Sequence, residues 1–370
     1  MKEKNERKIQ LIILAICLIV FLSLVFFAHS IRPQRTEMMG VYVERGRVVA
    51  IVDETTEHNP ALGLFPQQRL DVQLSTGEFA GYTFEISNNL LDHRMRHFDV
   101  GDRLILEFTE QSSRILSLDR GNILLGLAGL FLLLLALIGG KRGLLSIGGL
   151  IFSLLAIVLI LVPFTLAGFN PILIAILVSG LMTVVGITLL AGFTPKAITA
   201  IIGSLSGIAL AALLATITGH LTNISGYHTE YAGFLLGVSE GELPLSGIFV
   251  SGLIIAAMGA ITDTAMTIAS SMEEVKLAKP NITFKDLALA GLNVGRDAMG
   301  TMSNTLILAF VGSSFSLILF LSSIHLTWTE FINNDGIGIE IILGLAGSLG
   351  IILTVPLTTF IGAKLLSSKN

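Results

Sequence analysis

Long apolar runs dominate the chain, and their lengths set its first reading. Windows of about 20 apolar residues, enough for a helix to cross the hydrocarbon core of a bilayer, fall at 9–28, 121–140, 143–162, 171–191, 197–218, 244–270, 300–323 and 337–363. The pattern predicts an all-α polytopic membrane protein with eight transmembrane helices. Between the first and second runs the period changes. YVERGRVVAIVD, RLDVQLS, EFAGYTFEIS, DRLILEF and SRILSL alternate or cluster β-branched and apolar residues. Turn signals separate them at Asp53 to Pro60, Ser75-Thr76-Gly77 and Gly101-Asp102. These runs predict a small β-rich domain over residues 31–120, OB-like in kind.

Charge distribution orients the layout. Lys2, Lys4, Arg7 and Lys8, then Lys141 and Arg142, Lys196, the group Lys276, Lys279, Lys285 and Arg296, and finally Lys364 and Lys369 all fall on one side of the expected bilayer. The loops 163–170, 219–243 and 324–336 on the other side carry no Lys or Arg. The positive-inside rule then places both termini in the cytoplasm and the β-rich domain outside, since a domain of that length translocates largely regardless of its charge. The basic start, apolar run and Ala28-His29-Ser30 imitate a cleavable signal peptide, but the run is longer than the usual 7 to 15 residues, which favours a retained helix. The expected organisation is 1–30, N-terminus and first span; 31–120, extracytoplasmic β-rich domain; 121–218, spans two to five; 219–243, outer loop; and 244–370, spans six to eight. Within the last, residues 276–299 carry Phe284, Leu287, Leu289 and Leu292 among Lys285, Asp286 and Arg296, and read as an amphipathic segment lying in the cytoplasmic interface.

One polar group stands out inside the apolar runs. Asp263 is the only ionisable side chain in LPLSGIFVSGLIIAAMGAITDTAMTIASSM, residues 243–272. A charge at membrane depth costs several kcal/mol unless paired, hydrated or protonated, so such a residue is a functional hypothesis by default. At helical spacing it shares a face with Ala256, Gly259, Ala260, Met266, Thr267 and Ser270, small and hydroxylated neighbours that point to packing inside the bundle. The next span offers Thr301, Asn304, Thr305 and Gly312 as an opposing face. Three roles are open to the carboxyl: a proton or sodium relay with Thr267, Thr301 and Asn304, neutral when dry and ionised when water or a cation reaches it; a structural group bonded to Asn304 or Thr267; or a group near the helix end that snorkels to water. Arg296 and Asp297, adjacent and therefore not facing each other on a helix, read either as an interfacial anchor or as a cytoplasmic gate against the Asp263 helix. Gly203 and Gly207, and Ala346 and Gly350, have the small-xxx-small spacing that lets helices approach closely, here within one chain.

Composition narrows the function classes. The 370 residues are 52% hydrophobic and 14% charged, with a mean hydropathy of +0.81, which places the chain in lipid. The net charge of −4, with no basic run beyond KEKNERK, gives no reason for a nucleic-acid partner. A single cysteine, Cys17, excludes an intrachain disulfide. His93 and His97 beside Asp92, and His228 and Glu230 near His220, fall short of a complete metal-site pattern. No metal or cofactor is expected. There is no GxxxxGK[ST] loop and no His within a span after the first, so the chain is not read as an enzyme.

The stretches GAITDTAMTIASSMEEV, GLNVGRDAMGTMSNTLILAFVGSS and GSLGIILTVPLTT resemble the signature segments of the YibE/F family of bacterial polytopic membrane proteins, with Gly295-Arg296-Asp297-Ala298-Met299-Gly300-Thr301 the most specific part. The resemblance implies a multi-pass protein of the bacterial cytoplasmic membrane and carries no assigned activity. More distantly, a Gly-x-x-x-Asp helix followed by acidic residues, a short amphipathic helix and another span is similar to the central Asp helix of proton-driven RND permeases and SecD/SecF export factors. That likeness maps Asp263 onto a proton-carrying carboxylate, although RND halves have six spans. The expected function is an ion-gradient-driven transporter or export-assisting permease. The alternative is a non-transport scaffold or sensor whose β-domain binds a partner.

Overall fold

The structure, a computed structural model, describes residues 2–31, 42–59, 63–77, 79–89, 97–109, 112–223, 232–238, 243–324 and 326–367. The chain divides into two compact units, Gln34–Leu134 and Met1–Pro33 with Leu135–Asn370.

In the first unit the five strand-like runs are all strands: β1 (Tyr42–Asn59), β2 (Gly63–Leu74), β3 (Thr83–Asn89), β4 (Arg103–Phe108) and β5 (Ser113–Leu118). They pair antiparallel in the order β3-β2-β1-β4-β5, and the end strands β3 and β5 approach each other, so the sheet is curled. Alternation places Val48, Leu70, Val72, Leu74, Ile86, Leu104, Leu106 and Ile115 in one buried cluster. The turn expected at Asp53 to Pro60 lies elsewhere. The β1–β2 ladder runs on from Glu54↔Gln68 to Asn59↔Gly63, past register shifts between Val48 and Ala50 and between Ile51 and Asp53. β-branched Thr55 and Thr56 favour extension where the polar composition suggested reversal.

Among the described residues, six helical stretches are long and apolar enough to cross a membrane: Lys8–Ser30, Gly121–Leu166, Pro171–Ala191, Pro195–Leu221, Leu245–Ala278 and Asp335–Ser367. Phe284–Ser313 and Phe315–Ser323, bent by 56°, make a seventh if taken together. In chain order the helices are α1 (Lys2–Ser30), α2 (Gly121–Ala156), α3 (Val162–Leu166, after a π-helical turn at Ile157–Leu161), α4 (Pro171–Ala191), α5 (Pro195–Leu221), α6 (Ala232–Val238), α7 (Leu245–Ala278), α8 (Phe284–Ser313), α9 (Phe315–Ser323), α10 (Trp328–Ile332) and α11 (Asp335–Ser367). The first part of α2 belongs to the other unit.

Local chemistry sets the helix ends. Asn170 Oδ1 accepts from Ile172 N (3.0 Å) with Pro171 opening α4, Thr194 Oγ1 accepts from Ala197 N (3.2 Å) with Pro195 opening α5, and Thr283 Oγ1 accepts from Asp286 N (3.1 Å) at the start of α8. At α10, Thr327 and Glu330 form a reciprocal capping box, and the Thr327 N–H donated to its carboxylate holds Glu330 below the ordinary glutamate range.

Two departures from the expected layout have local causes. Gly140 interrupts α2 with φ 53° and ψ −132°, a conformation few residues other than glycine adopt. A Cβ on Gly143 would collide with the carbonyl oxygen of Leu135, whereas an unbroken helix rises about 12 Å between these two residues, so the chain turns back here. Residues 284–299, expected as a separate interfacial helix, form the first half of the continuous helix α8, and the break falls instead at Ser314. Its cause is packing: Cβ atoms on Gly291 and Gly295 would lie 2.7 Å from Met272 Sδ and 3.1 Å from Ile268 Cδ1, so this half of α8 is pressed against α7.

Helices α5, α7 and α11 form the centre. The small-residue positions are the contact points: Gly203 faces Thr358, Gly207 faces Thr354 and Ile261, and a Cβ on Gly350 would lie 2.6 Å from Ala211 Cβ. The intrachain packing expected from these glycines is what they do.

Candidate functional site: the Asp263 groove

Asp263 lies close to the middle of α7. The helix presents Ala257, Ile261, Ala265, Ile268, Ala269 and Met272 as its fully buried face. Asp263 is on the opposite side, exposed together with Ala256, Gly259 and Thr267. The face expected to pack inside the bundle is therefore open in part: Ala260 and Met266 still pack against the core, while the closest packing on α7 is made by its Ala and branched Ile residues.

The carboxyl borders a groove of about 230 Å³ between α7, the second half of α2, and α4. Met258, Gly259, Thr262 and Met266 line it from α7, Ser146, Gly149 and Ser153 from α2, and Met182, Thr183 and Gly186 from α4. No residue of α8 is in its lining. Two of the threonines lining it leave the hydroxyl unpartnered. Thr183 is only 2% exposed, and neither its Oγ1 nor that of Thr262 has a hydrogen-bond partner. Some helical threonines return the hydroxyl to their own backbone, as Thr264 does to Ala260 O at 2.8 Å and Thr354 to Gly350 O at 2.7 Å, while Thr188, Thr358 and Thr359, outside this groove, also leave it without a partner.

The other expected site residues sit apart from this groove. Thr301 and Asn304 are exposed on α8, and Thr301 Oγ1 donates to Ala298 O at 3.0 Å. Thr267 continues the exposed stripe of α7. Arg296 reaches Asn293 Oδ1 at 3.5 Å on its own helix, and Asp297 beside it is exposed. Towards the C-terminal end of α7, Glu273 pairs with Lys196 of α5 at 2.7 Å, and near the same end of α4 Gln10 of α1 donates to Thr188 O at 3.0 Å. His220 lines a second cavity of about 230 Å³ with Thr216, Asn223 and Ser246. His93, His228 and Glu230 lie outside the described residues.

Glu340 escaped the sequence reading. It is the only charged residue from Gly336 to Ala363. Its Oε2 is buried without a hydrogen-bond partner, beside a cavity of about 270 Å³ lined by Ile307, Phe310, Ser314, Ile318 and Phe331 at the bend between α8 and α9. A lone acid inside an apolar run was the available signal, and its place near the start of the run hid it. Replacing Glu340 by Met removes an unsatisfied buried oxygen and fills apolar space. It is expected to stabilise the full chain by about 1–2 kcal/mol, read as a higher midpoint of thermal unfolding in detergent. A midpoint lowered by a similar amount would mean the carboxylate has a partner that the Met variant loses.

No curated protein and no solved structure matches the chain. The family model described as YibE/F-like protein matches residues 127–368, which span the Asp263 groove, Glu340 and the α5–α7–α11 centre. The chain belongs to the YibE/F-like family.

Proposed function

We propose that the chain is a secondary transporter or export-assisting permease of the bacterial cytoplasmic membrane, energised by a proton or sodium gradient, in which Asp263 alternates between ionised and neutralised states. Counting the reversal at Gly140 as two crossings and the bent pair α8–α9 as one gives eight. The positive-inside rule then puts both termini in the cytoplasm and the β-unit outside. The reading is of binding and movement, with no chemical reaction assigned.

One observation carries it. Asp263, the one acid of the apolar run 243–272, lies midway along α7, at a groove open on one side and lined by Gly and Ser residues of α2 and α4. A carboxylate at such depth is maintained only with a proton, a cation or water, and small residues around it leave room for helices to shift. The distant likeness to RND permeases maps the same role onto Asp263.

The test uses the purified full chain in proteoliposomes under an imposed proton or sodium gradient, with ion movement followed by an entrapped indicator. Asp263→Asn keeps the size and removes the charge, and is expected to lower flux at least tenfold with normal insertion. Flux equal to the parent's would return the chain to the alternative of a scaffold or sensor.

A further inference from the structure

We propose that the Asp263 groove is a sodium site, with Thr183 Oγ1 and Thr262 Oγ1 as its neutral oxygen ligands. The inference rests on the relay reading above and names its ion.

A proton needs only the carboxyl oxygen it binds. A small hard cation needs several oxygens at once, since oxygen donors replace its hydration shell. The groove brings together three residues that carry them: Asp263 and Thr262 line it from α7, and Thr183 from α4 across the gap. Of the buried hydroxyls without a partner among the described residues, Thr183 and Thr262 are the ones that line this groove. Each has a backbone carbonyl one turn earlier and does not use it, whereas Thr264 does. Thr183 is nearly fully buried, so bulk water does not explain its free oxygen.

Charge selects the valence. Asp263 is the only titratable side chain lining the groove; α4 carries no charged residue, and on α2 the nearest are Lys141 and Arg142, a turn before Leu145 at the groove's edge. One carboxylate balances one positive charge, and a divalent ion would leave excess charge at membrane depth. Ligands from both α4 and α7 mean that an ion holds the two helices together and that its departure frees them. Protons compete for the same carboxylate, so sodium binding weakens as pH falls.

The experiment follows thermal unfolding of the full chain in lipid nanodiscs as NaCl replaces choline chloride at constant ionic strength, with KCl as a second reference. A ligand that binds only the folded state raises the midpoint as its concentration rises. The expected result is a saturable rise in sodium that choline and potassium do not match. The half-saturating sodium concentration should be at least tenfold higher in Thr183→Val and in Thr262→Val, near the parent value in Thr183→Ser, and undetectable in Asp263→Asn. Equal midpoints in the three salts, or Val variants that respond as the parent does, overturn the proposal. The relay reading fails separately: if sodium has no effect and Asp263→Asn still abolishes proton-driven flux, the relay stands and the ion is the proton. If Asp263→Asn leaves flux intact, the relay itself is wrong.

Discussion

Gly207→Leu is expected to abolish the folded helical unit, and even Gly207→Ala is expected to destabilise it by about 2–3 kcal/mol. Helices in a bilayer gain nothing by hiding apolar surface from each other, because lipid is equally apolar; they are held by close contact, and small residues permit it. At Gly207 the contact is with backbone-anchored groups. A Cβ there would run into Thr354 Oγ1 and lie 2.9 Å from Ile261 Cγ2. Thr354 cannot turn aside freely, since its hydroxyl is donated to Gly350 O at 2.7 Å, and Gly350 is itself the point where Ala211 comes close. A methyl group at this position strains α5, α7 and α11 together, which is the overpacking case. Gly219 on the same helix is the control, because nothing lies within 4 Å of its missing Cβ. There, Ala is expected to be neutral or to stabilise by up to about 1 kcal/mol through helix propensity. Resistance of the full chain to unfolding in increasing denaturing detergent measures both. Equal behaviour of the two alanine variants would show that the α5–α11 contact is looser than this geometry.

That contact was legible because Gly203 and Gly207 carry a spacing with a mechanical meaning. The strands were legible too, since residues 31–120 alternate with period two against a water-facing side. The orientation of α7 was not. In a soluble helix the polar stripe marks the outside, but in a membrane helix both the protein-facing and the lipid-facing sides are apolar, and the polar stripe is assigned by default to the interior. Ile261 and Ile268, with Ala257, Ala265 and Ala269, in fact make the packed face, and Asp263 and Thr267 are left on the open one. The same ambiguity paired Asp263 with Asn304, when Thr183 of α4 lines its groove. Thr183 and Thr262 carry no sequence signal, because a threonine that bonds its own backbone and one that does not look alike in a sequence. The charged residues of 276–299 suggested a helix lying in the interface, while Gly291 and Gly295, four apart, already marked a face built for close contact.

In the β-unit, Gln68→Leu is expected to cost about 3 kcal/mol, although it exchanges a polar residue for an apolar one of similar size in a fully buried place. Gln68 is 0% exposed and uses its whole bonding capacity. Its Nε2 donates to Glu54 Oε1 and to Phe98 O, both at 2.8 Å, while its Oε1 accepts from Phe98 N at 3.0 Å and Asn88 Nδ2 at 3.2 Å. One side chain thus ties β1, β3 and the chain around Phe98 to β2. Leucine keeps the volume but removes the two hydrogen bonds that Gln68 makes with the backbone of Phe98, which is 4% exposed, and losing a buried hydrogen-bond partner costs about 1–3 kcal/mol. The loss is therefore larger than the gain from an added apolar side chain, and Gln68→Glu, which retains acceptors and loses the donating amide, should place a second carboxylate beside Glu54 and destabilise further. Hydrogen exchange on the full chain reads this locally: the amide of Phe98 should exchange at least tenfold faster in Gln68→Leu, whereas amides of α5 and α11, in the other compact unit, keep their protection. An unchanged Phe98 amide would show that the strands alone hold that segment. Faster exchange in α5 as well would show that the two units unfold together.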